Sequence, residues 1–495
     1  MTATKNPMLR TDFYKTGHAP QYPEGTEYIY SVWVPRSNKY MPYTDGVVSW
    51  GIQGMIKEDL MEAFEQHFFN LPELVAVRQY TRILEYSLGK DKADGSRIAE
   101  LHRLGYLPVR IKAVKEGTVV PLRTPMMTIE NTHDDFFWVT NFLETIISNQ
   151  LWQAMTSATI AYNYRKIMNE FAEVTMEDPE LVKWLLHDFS MRGMGSLQTT
   201  EKSGSGHLLS FVGTDSIPAI VYLEEYYNAN VETELVAGSV SATEHSVMCA
   251  SADVNLDEEE TFRRLLTEVY PTGIVSVVSD SFDFWDNVSR VLPNLKDVIE
   301  GRDGKLVIRP DSGVPEDILC GDPNADNEWA RMGLVASLAK IFGFTVNSKG
   351  YKVLPPCIGA IYGDSITYER MQEIYSRLVA AGFSIENVVL GVGSYTYAYN
   401  TRDSLGFAMK ATWAQINGEE KLIQKDPKTD DGTKKSNKGR VAVVEKDGKI
   451  VTIDNISIND EPIEGDLLET VFEDGKLVRE QSLQEVRDIL SSFTK

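Results

Sequence analysis

Cysteine is scarce in this 495-residue chain: Cys249, Cys320 and Cys357 are the only three, and none stands at C-x-x-C spacing. Three residues cannot build a disulfide framework, so the composition points to a reducing compartment. Histidine is sparse too, seven in all, and their scatter supplies no zinc-ligand spacing. H-E-x-x-H and G-x-x-x-x-G-K-[ST] are both absent. No run approaches the roughly 18 apolar residues of a membrane span. The opening MTATKNPMLRTDFYK has neither the apolar stretch nor the cleavage site of a secretory signal, so a cytoplasmic location is expected. Positive charge is in short supply, with 49 Lys and Arg against 72 Asp and Glu, a net charge of −23 and a pI near 4.8. That balance argues against nucleic acid or an anionic membrane as a partner, because phosphate surfaces attract a positive face. Any phosphate-bearing ligand has to be met by a local basic pocket.

What is present is an ordinary globular mixture, 42% hydrophobic and 24% charged. At roughly 150 residues per domain, the length suits three domains, or two of which one is a large barrel. Over 1–145, a turn-rich start (Pro20, Pro23, Gly25) leads into a β-like run at 27–34, a helical stretch at 54–69 and the β-rich RIKAVKEGTVVPL, together an α+β module. In NTHDDFFWVTNFLETIISNQLW, Thr132 and Asp135 have capping-box spacing, and Phe136, Val139, Phe142, Leu143, Ile146 and Ile147 recur with helical period.

The catalytic domain is expected over 146–415, and from about 180 to 415 the pattern becomes short apolar runs alternating with helices. WLLHDFS, ELVAGSV, GIVSVVSD, KLVIRPDSG, CIGAIYGDS and NVVLGVGS each read as a buried strand breaking into a polar turn. The fold class expected is α/β, an irregular (β/α) barrel. Its active site is expected where the strands end, since the polar residues follow each run. Segment 416–495 holds a basic island, KDPKTDDGTKKSNKGR, then a hairpin turning at Asp447-Gly448 and a closing helix at 482–491.

Several strand-end residues bear chemistry. Asp280, Asp311 and Asp364 follow apolar runs directly, with Arg309 two residues before Asp311. Such carboxylates orient sugar hydroxyls or hold a divalent cation, although a lone Asp there also serves as a helix cap. His245, beside Glu244, lies in a turn of the same class and is either structural or reactive. Asp215 in FVGTDS is a turn residue or a ligand contact. Gly363, Gly391, Gly393 and Ser394 suit either tight turns or a phosphate cradle. The cluster Lys425, Lys434, Lys435, Lys438 and Arg440 is a solvated loop or a counter-charge for phosphate. The G-x-G triplets at 193–195, 204–206 and 391–393 lack a third glycine, so a dinucleotide fold is not indicated.

Beyond spacing, the chain resembles the nicotinamide phosphoribosyltransferases of the type II nicotinate/nicotinamide phosphoribosyltransferase family nearly end to end. The resemblance is carried in order by TDFYKTGHAPQYP, TIENTHDDFFWVTNFLETI, LHDFSMRG, FVGTDS, ATEHS, VSVVSDSFD, VIRPDSG, NSKGYKVLPP, YGDS, TRD, KDP and KSNKGR. It implies a phosphoribosyltransferase barrel plus an α+β domain formed by both chain ends, a homodimer with shared active sites, and transfer of phosphoribosyl from phosphoribosyl pyrophosphate to nicotinamide. Tyr14 (from the partner subunit) and Phe189 are implied to sandwich the pyridine ring, with Arg192 and Arg309 lining the pocket and Asp215 accepting from the ring amide. A carboxylate there accepts from an amide NH₂ and repels the carboxylate of nicotinate.

The same resemblance assigns Asp311, Gly363 and Asp364 to the ribose, and Ser276, Gly393 and Ser394 to the phosphoribosyl group. Arg36, Arg402, Lys410, Lys425 and Lys434 are implied phosphate contacts, and Asp280 and Asp311 lie where Mg²⁺ would act. His245 corresponds to a phosphorylated histidine that couples ATP hydrolysis to synthesis, with Glu244 and Asp280 as orienters of its ring. The competing readings are a nicotinate phosphoribosyltransferase and a non-catalytic nucleotide-binding relative. Two departures stand out: the family's GSGGG is GVGSY at 391–395, and DFGYRG is DFSMRG at 188–193.

Overall fold

The computed structural model describes residues 5–363, 365–424 and 437–494. The chain forms two compact units, one of Met1–Thr159, Tyr222–Ala229 and Asn400–Phe493, the other of Ile160–Val221, Asn230–Tyr399 and Thr494–Lys495.

An antiparallel sheet of seven strands underlies the first unit, in the order Glu419–Leu422, Ala408–Ile416, Thr26–Val34, Met127–Asn131, Val109–Ala113, Glu469–Glu473, Lys476–Leu477. N-terminal and C-terminal segments therefore share one sheet, as the family resemblance implies. Thr26–Val34 is paired on both sides, and its β-branched and aromatic side chains suit a pleated surface with neighbours all round. Trp33, fully buried, stacks on Phe407 with centroids 5.2 Å apart. The expected hairpin is Arg440–Lys446 paired with Lys449–Ile456, and both Asp447 and Gly448 take positive φ, as a type I′ turn demands. Ser482 and Glu485 form a capping box that starts the last helix, Leu483–Ser492.

A buried carboxyl ties this unit together. Glu116 accepts from the backbone N–H of Gln53 (2.6 Å) and Gly51 (2.9 Å) and from the Tyr227 hydroxyl (2.9 Å). Burial pushes its carboxyl above the usual range, against the pull of those three bonds.

In the second unit the sheet is parallel, in the order Gly213–Thr214, Leu186–Asp188, Val388–Val392, Ile358–Tyr362, Asp303–Arg309, Thr272–Val278, Ser241–Ala242. The sheet curls. Gly238 exchanges backbone hydrogen bonds with Val212 and Thr214 at one edge, while Ser241–Ala242 pairs with Thr272–Val278 at the other, so one short segment ties both edges. This is the irregular barrel expected from the alternating pattern. Ile358–Tyr362 is buried at every position, as in sheets covered on both faces.

Two local expectations are corrected. ELVAGSV is not a strand: only Gly238 makes a bridge, packed so tightly that a Cβ there would fall 2.8 Å from the Trp184 ring, and pairing resumes at the polar Ser241–Ala242. The capping box at Thr132 does not form, because its hydroxyl donates to Asp474 and His133 caps the turn instead. The spans read from the sequence meet at 145/146 and 415/416; the compact units change over at 159/160 and 399/400, with Tyr222–Ala229 returning to the first. The helix Glu144–Thr175 runs through the first of these points, and Ala408–Ile416 pairs with Thr26–Val34 at the second. Among the described residues, no helix is long and apolar enough to cross a membrane.

Candidate active site

The C-terminal ends of the parallel strands bring most of the singled-out residues together. Thr272–Val278 ends two residues before Asp280, and Asp303–Arg309 two before Asp311. The pairing register sets Val278 beside Arg309, so the two following turns are neighbours. Asp280 Oδ2 accepts from the Asp311 backbone N–H (2.9 Å) and the Ser312 hydroxyl (2.6 Å), which locks one turn onto the other. Its Oδ1 is buried and has no hydrogen-bond partner among the described residues. A side chain only 3% exposed with one oxygen unengaged is costly unless a ligand completes it.

His245 stands at the first position of the helix His245–Ser251 and faces this pair. Its Nε2 lies 3.8 Å from Asp280 Oδ1 and 3.8 Å from Asp311 Oδ2, too far for hydrogen bonds but within ion-pair range. The other ring nitrogen, Nδ1, is 3.3 Å from the Ser281 hydroxyl. Glu244 accepts from the Ser246 hydroxyl, and among the described residues no hydrogen bond joins it to the His245 ring.

Behind Asp280 lies a second acid that the sequence reading missed. Glu258 accepts from Asn287 Nδ2 (2.7 Å), which also donates to the Ser279 carbonyl (2.9 Å). Burial, and then repulsion from Asp280, push its carboxyl above the ordinary value against the Asn287 bond.

Arg309 donates to the Thr243 carbonyl (2.7 Å), and its Nε sits 3.5 Å from Asp311 Oδ2. Gly363 makes room for this acid: a Cβ there would lie 1.9 Å from Asp311 Oδ1. Ser276, inside the strand Thr272–Val278, is buried with its hydroxyl unpartnered among the described residues. Gly393 precedes the short helix Ser394–Ala398, and Gly193 lies so close that a Cβ would meet Ser394 Oγ at 2.1 Å. That contact accounts for a glycine of the 193–195 triplet. Gly204 and Gly206 are buried within Leu197–His207, where a Cβ on Gly204 would meet Ala219 at 2.7 Å.

Asp215, after Gly213–Thr214, is the other informative carboxylate. Its Oδ1 accepts from His187 Nε2 (2.9 Å) and from the Ser239 hydroxyl (2.7 Å). Burial works to raise this carboxyl, but those two bonds and nearby Arg309 outweigh it and hold Asp215 below its ordinary value. The Phe189 ring lies 4.5 Å from that of His187, and exposed Arg192 follows it in the turn Met191–Gly193.

In the first unit, Tyr14 and Arg402 line a cavity of about 250 Å³ with Asp12, Glu144, Thr145, Ser148, Asn149 and Trp152. Tyr14 is 61% exposed, an unusual surplus for an aromatic ring. Arg36 donates from Nε to the Gly406 carbonyl (2.8 Å), and Lys410 sits in Ala408–Ile416 opposite Val32. Asp364, Lys425 and Lys434 lie outside the described residues.

The sequence model of the nicotinate phosphoribosyltransferase (NAPRTase) family matches residues 184–476. A nicotinamide phosphoribosyltransferase of Acinetobacter baylyi is 46% identical over 98% of this chain and 97% of its own length. One of Xanthomonas campestris pv. campestris is 32% identical over 97% of each chain. Among solved structures, nicotinate-nucleotide pyrophosphorylase from Pyrococcus furiosus aligns with a TM-score of 0.56 at 15% identity, covering 99% of this chain and 96% of that one. Human nicotinic acid phosphoribosyltransferase aligns at 0.54 and 15%, covering 97% and 93%. At that identity the likeness is one of fold.

Proposed function

The chain belongs to the nicotinate phosphoribosyltransferase family, and from that premise we propose that it transfers the 5-phosphoribosyl group of phosphoribosyl pyrophosphate to nicotinamide, a step of NAD salvage. Asp215 carries the choice of substrate. It is an anionic acceptor beside the Phe189–His187 ring pair, with Oδ2 accepting no hydrogen bond among the described residues. A carboxamide offers N–H to such an oxygen, whereas the carboxylate of nicotinate meets like charge. The names of the two relatives above favour the same substrate.

In this reading the pyridine nitrogen attacks the ribose anomeric carbon, forming the C–N bond as the C–O bond to pyrophosphate breaks. Phe189 and Tyr14, the latter from a second copy of the chain, hold the ring by its faces. Arg192 and Arg309 line the pocket, and Asp311, Gly363 and Asp364 meet the ribose. Gly393 and Ser394 hold the 5′-phosphate and Ser276 belongs to the phosphoribosyl site, while Arg36, Arg402, Lys410, Lys425 and Lys434 supply counter-charge, several across the dimer. Asp280 and Asp311 are the residues that would hold Mg²⁺, and the unpartnered buried Oδ1 of Asp280 suits a hard cation. When bound, the cation would neutralise charge on the departing pyrophosphate.

His245 is the candidate for ATP coupling. Its Nε2 would take the γ-phosphoryl group, forming N–P as the bond to ADP breaks, and water would later release phosphate. The Ser281 hydroxyl at Nδ1 is the partner that would keep the proton on that nitrogen.

The test is product formation from nicotinamide and from nicotinate, each with phosphoribosyl pyrophosphate and Mg²⁺, with and without ATP. Nicotinamide mononucleotide formed in preference, and stimulated by ATP, is expected, with acid-labile phosphate that is lost in His245→Ala. Preference for nicotinate would overturn the substrate assignment. Stimulation by ATP without labelled protein would overturn the role of His245.

A further inference from the structure

His187 was not singled out by the sequence, yet it is the residue that most directly constrains Asp215. It lies in the middle of Leu186–Asp188, paired in parallel with Gly213 on one side and Gly391 on the other. Both neighbours are glycines, and a Cβ on Gly213 would fall 2.8 Å from His187 Nδ1, so the imidazole occupies space that a side chain there would take. The ring thus reaches over the strand end with Nε2 2.9 Å from Asp215 Oδ1. A histidine donates from Nε2 in its Nε2–H tautomer and in its protonated form, so the bond does not require a particular charge state. Ser239 donates to the same oxygen at 2.7 Å, and the Asp215 backbone N–H donates to the Asp188 carbonyl at 2.9 Å. Main chain and Oδ1 are therefore fixed at three points.

We propose that His187 is a positioning residue for substrate selection: by holding Oδ1 of Asp215, with Ser239, it turns Oδ2 toward the ring substituent and keeps it there. The inference rests on the nicotinamide reading above. An Asp χ2 is otherwise broad and nearly two-fold, so an untethered carboxylate rotates freely about its last bond. That freedom has two consequences. The amide loses an oriented acceptor and must restrain the carboxylate itself on binding. A negatively charged ring substituent, in turn, is no longer met by a charge that cannot turn away, so discrimination weakens as well as affinity. Packing alone predicts neither the second effect nor rescue by a donor of similar reach.

His187→Leu removes the donor while keeping apolar bulk, and His187→Gln returns an N–H near the position of Nε2. Steady-state kinetics with nicotinamide and with nicotinate should show KM for nicotinamide raised about tenfold or more in His187→Leu. In that variant kcat is expected to change less than threefold, and the nicotinamide-to-nicotinate ratio of kcat/KM to fall by a similar factor. Much of this is recovered in His187→Gln. Ser239→Ala, at an exposed position, is expected to raise KM by a smaller factor in the same direction. If His187→Leu melts below the assay temperature, Ser239→Ala and His187→Gln carry the comparison.

A wild-type enzyme that prefers nicotinate overturns the substrate reading and this inference together. A wild type that prefers nicotinamide, with KM and selectivity unchanged in His187→Leu or Ser239→Ala, overturns the inference alone. Equal losses in the Leu and Gln variants would do the same, since they would show that shape and not the donated hydrogen bond is what matters.

Discussion

Two buried carboxyl groups divide the molecule by purpose. Glu116, in the antiparallel unit, has both oxygens engaged by Gly51, Gln53 and Tyr227, and Gln481 donates from Nε2 to its carbonyl. Asp280, in the parallel unit, spends one oxygen on joining two strand-end turns and leaves the other buried and unmatched, 3.8 Å from His245. The first is a completed structural joint between chain segments far apart in sequence. The second is a joint with one open valence, and burial makes that openness expensive unless something binds. The same division holds more widely. The acids proposed for chemistry lie in the parallel unit with Asp215 and Phe189, while Tyr14, the other half of the proposed ring clamp, and the counter-charges Arg36, Arg402 and Lys410 lie in the other.

Asp280→Asn should break the contrast most sharply. We expect kcat/KM to fall about 10²- to 10³-fold, the range for losing a preorganised charge at a reacting centre, with the melting temperature unchanged or raised. Glu116→Ala should do the opposite: about 3 kcal/mol of unfolding stability lost, because several buried donors lose their acceptor, and kcat/KM of the folded protein within threefold of wild type. Denaturant titration beside steady-state kinetics checks both.

Mixing subunits sharpens the division between units. Tyr14→Ala and Asp311→Asn are each expected to be nearly inactive alone. If the protein is the proposed dimer and each active site draws on both copies, random re-pairing restores about a quarter of wild-type activity, because half the dimers are mixed and one site in each mixed dimer is intact. No recovery on co-refolding would confine each site to one chain.

The smallest effect concerns His207, buried in the parallel unit between the Tyr397 hydroxyl (2.7 Å) and the Gly213 carbonyl (2.9 Å). Burial lowers its pKa to about 4 from an unfolded value of 6.5. The unfolded chain therefore binds the extra proton between those values, so the stability this group contributes is full above pH 6.5 and is lost as pH falls toward 4. Thermal melts from pH 7 to 5 should show a steeper decline in wild type than in His207→Gln.

Much of this architecture was legible because the barrel strands are continuous apolar runs that stop at an acid or a glycine. Asp280, Asp311 and Gly363 are visible for that reason, and so is the Asp447-Gly448 turn. The short strands were harder. Ser241–Ala242 carries no β signature and is held by pairing on a curled sheet, whereas the apolar ELVAGSV attracts a strand assignment although only Gly238 in it pairs. With that segment taken as a strand, nothing in the sequence connects the Ser239 hydroxyl to Asp215. His187 and Glu258 were hidden for a related reason: each acts on a carboxylate more than twenty residues away, and only the register of parallel strands and the packing behind them brings the pairs together.

The most direct test of the account is the substrate partition of Asp215→Asn. Asn keeps the shape and an amide-accepting oxygen but removes the charge. In competition between nicotinamide and nicotinate, we predict that kcat/KM for nicotinamide falls about tenfold or more and that the preference for it over nicotinate shrinks by at least about a hundredfold, since a like-charge penalty of several kcal/mol is lifted. An Asp215→Asn enzyme with the wild-type preference would contradict the claim that this carboxylate reads the ring substituent.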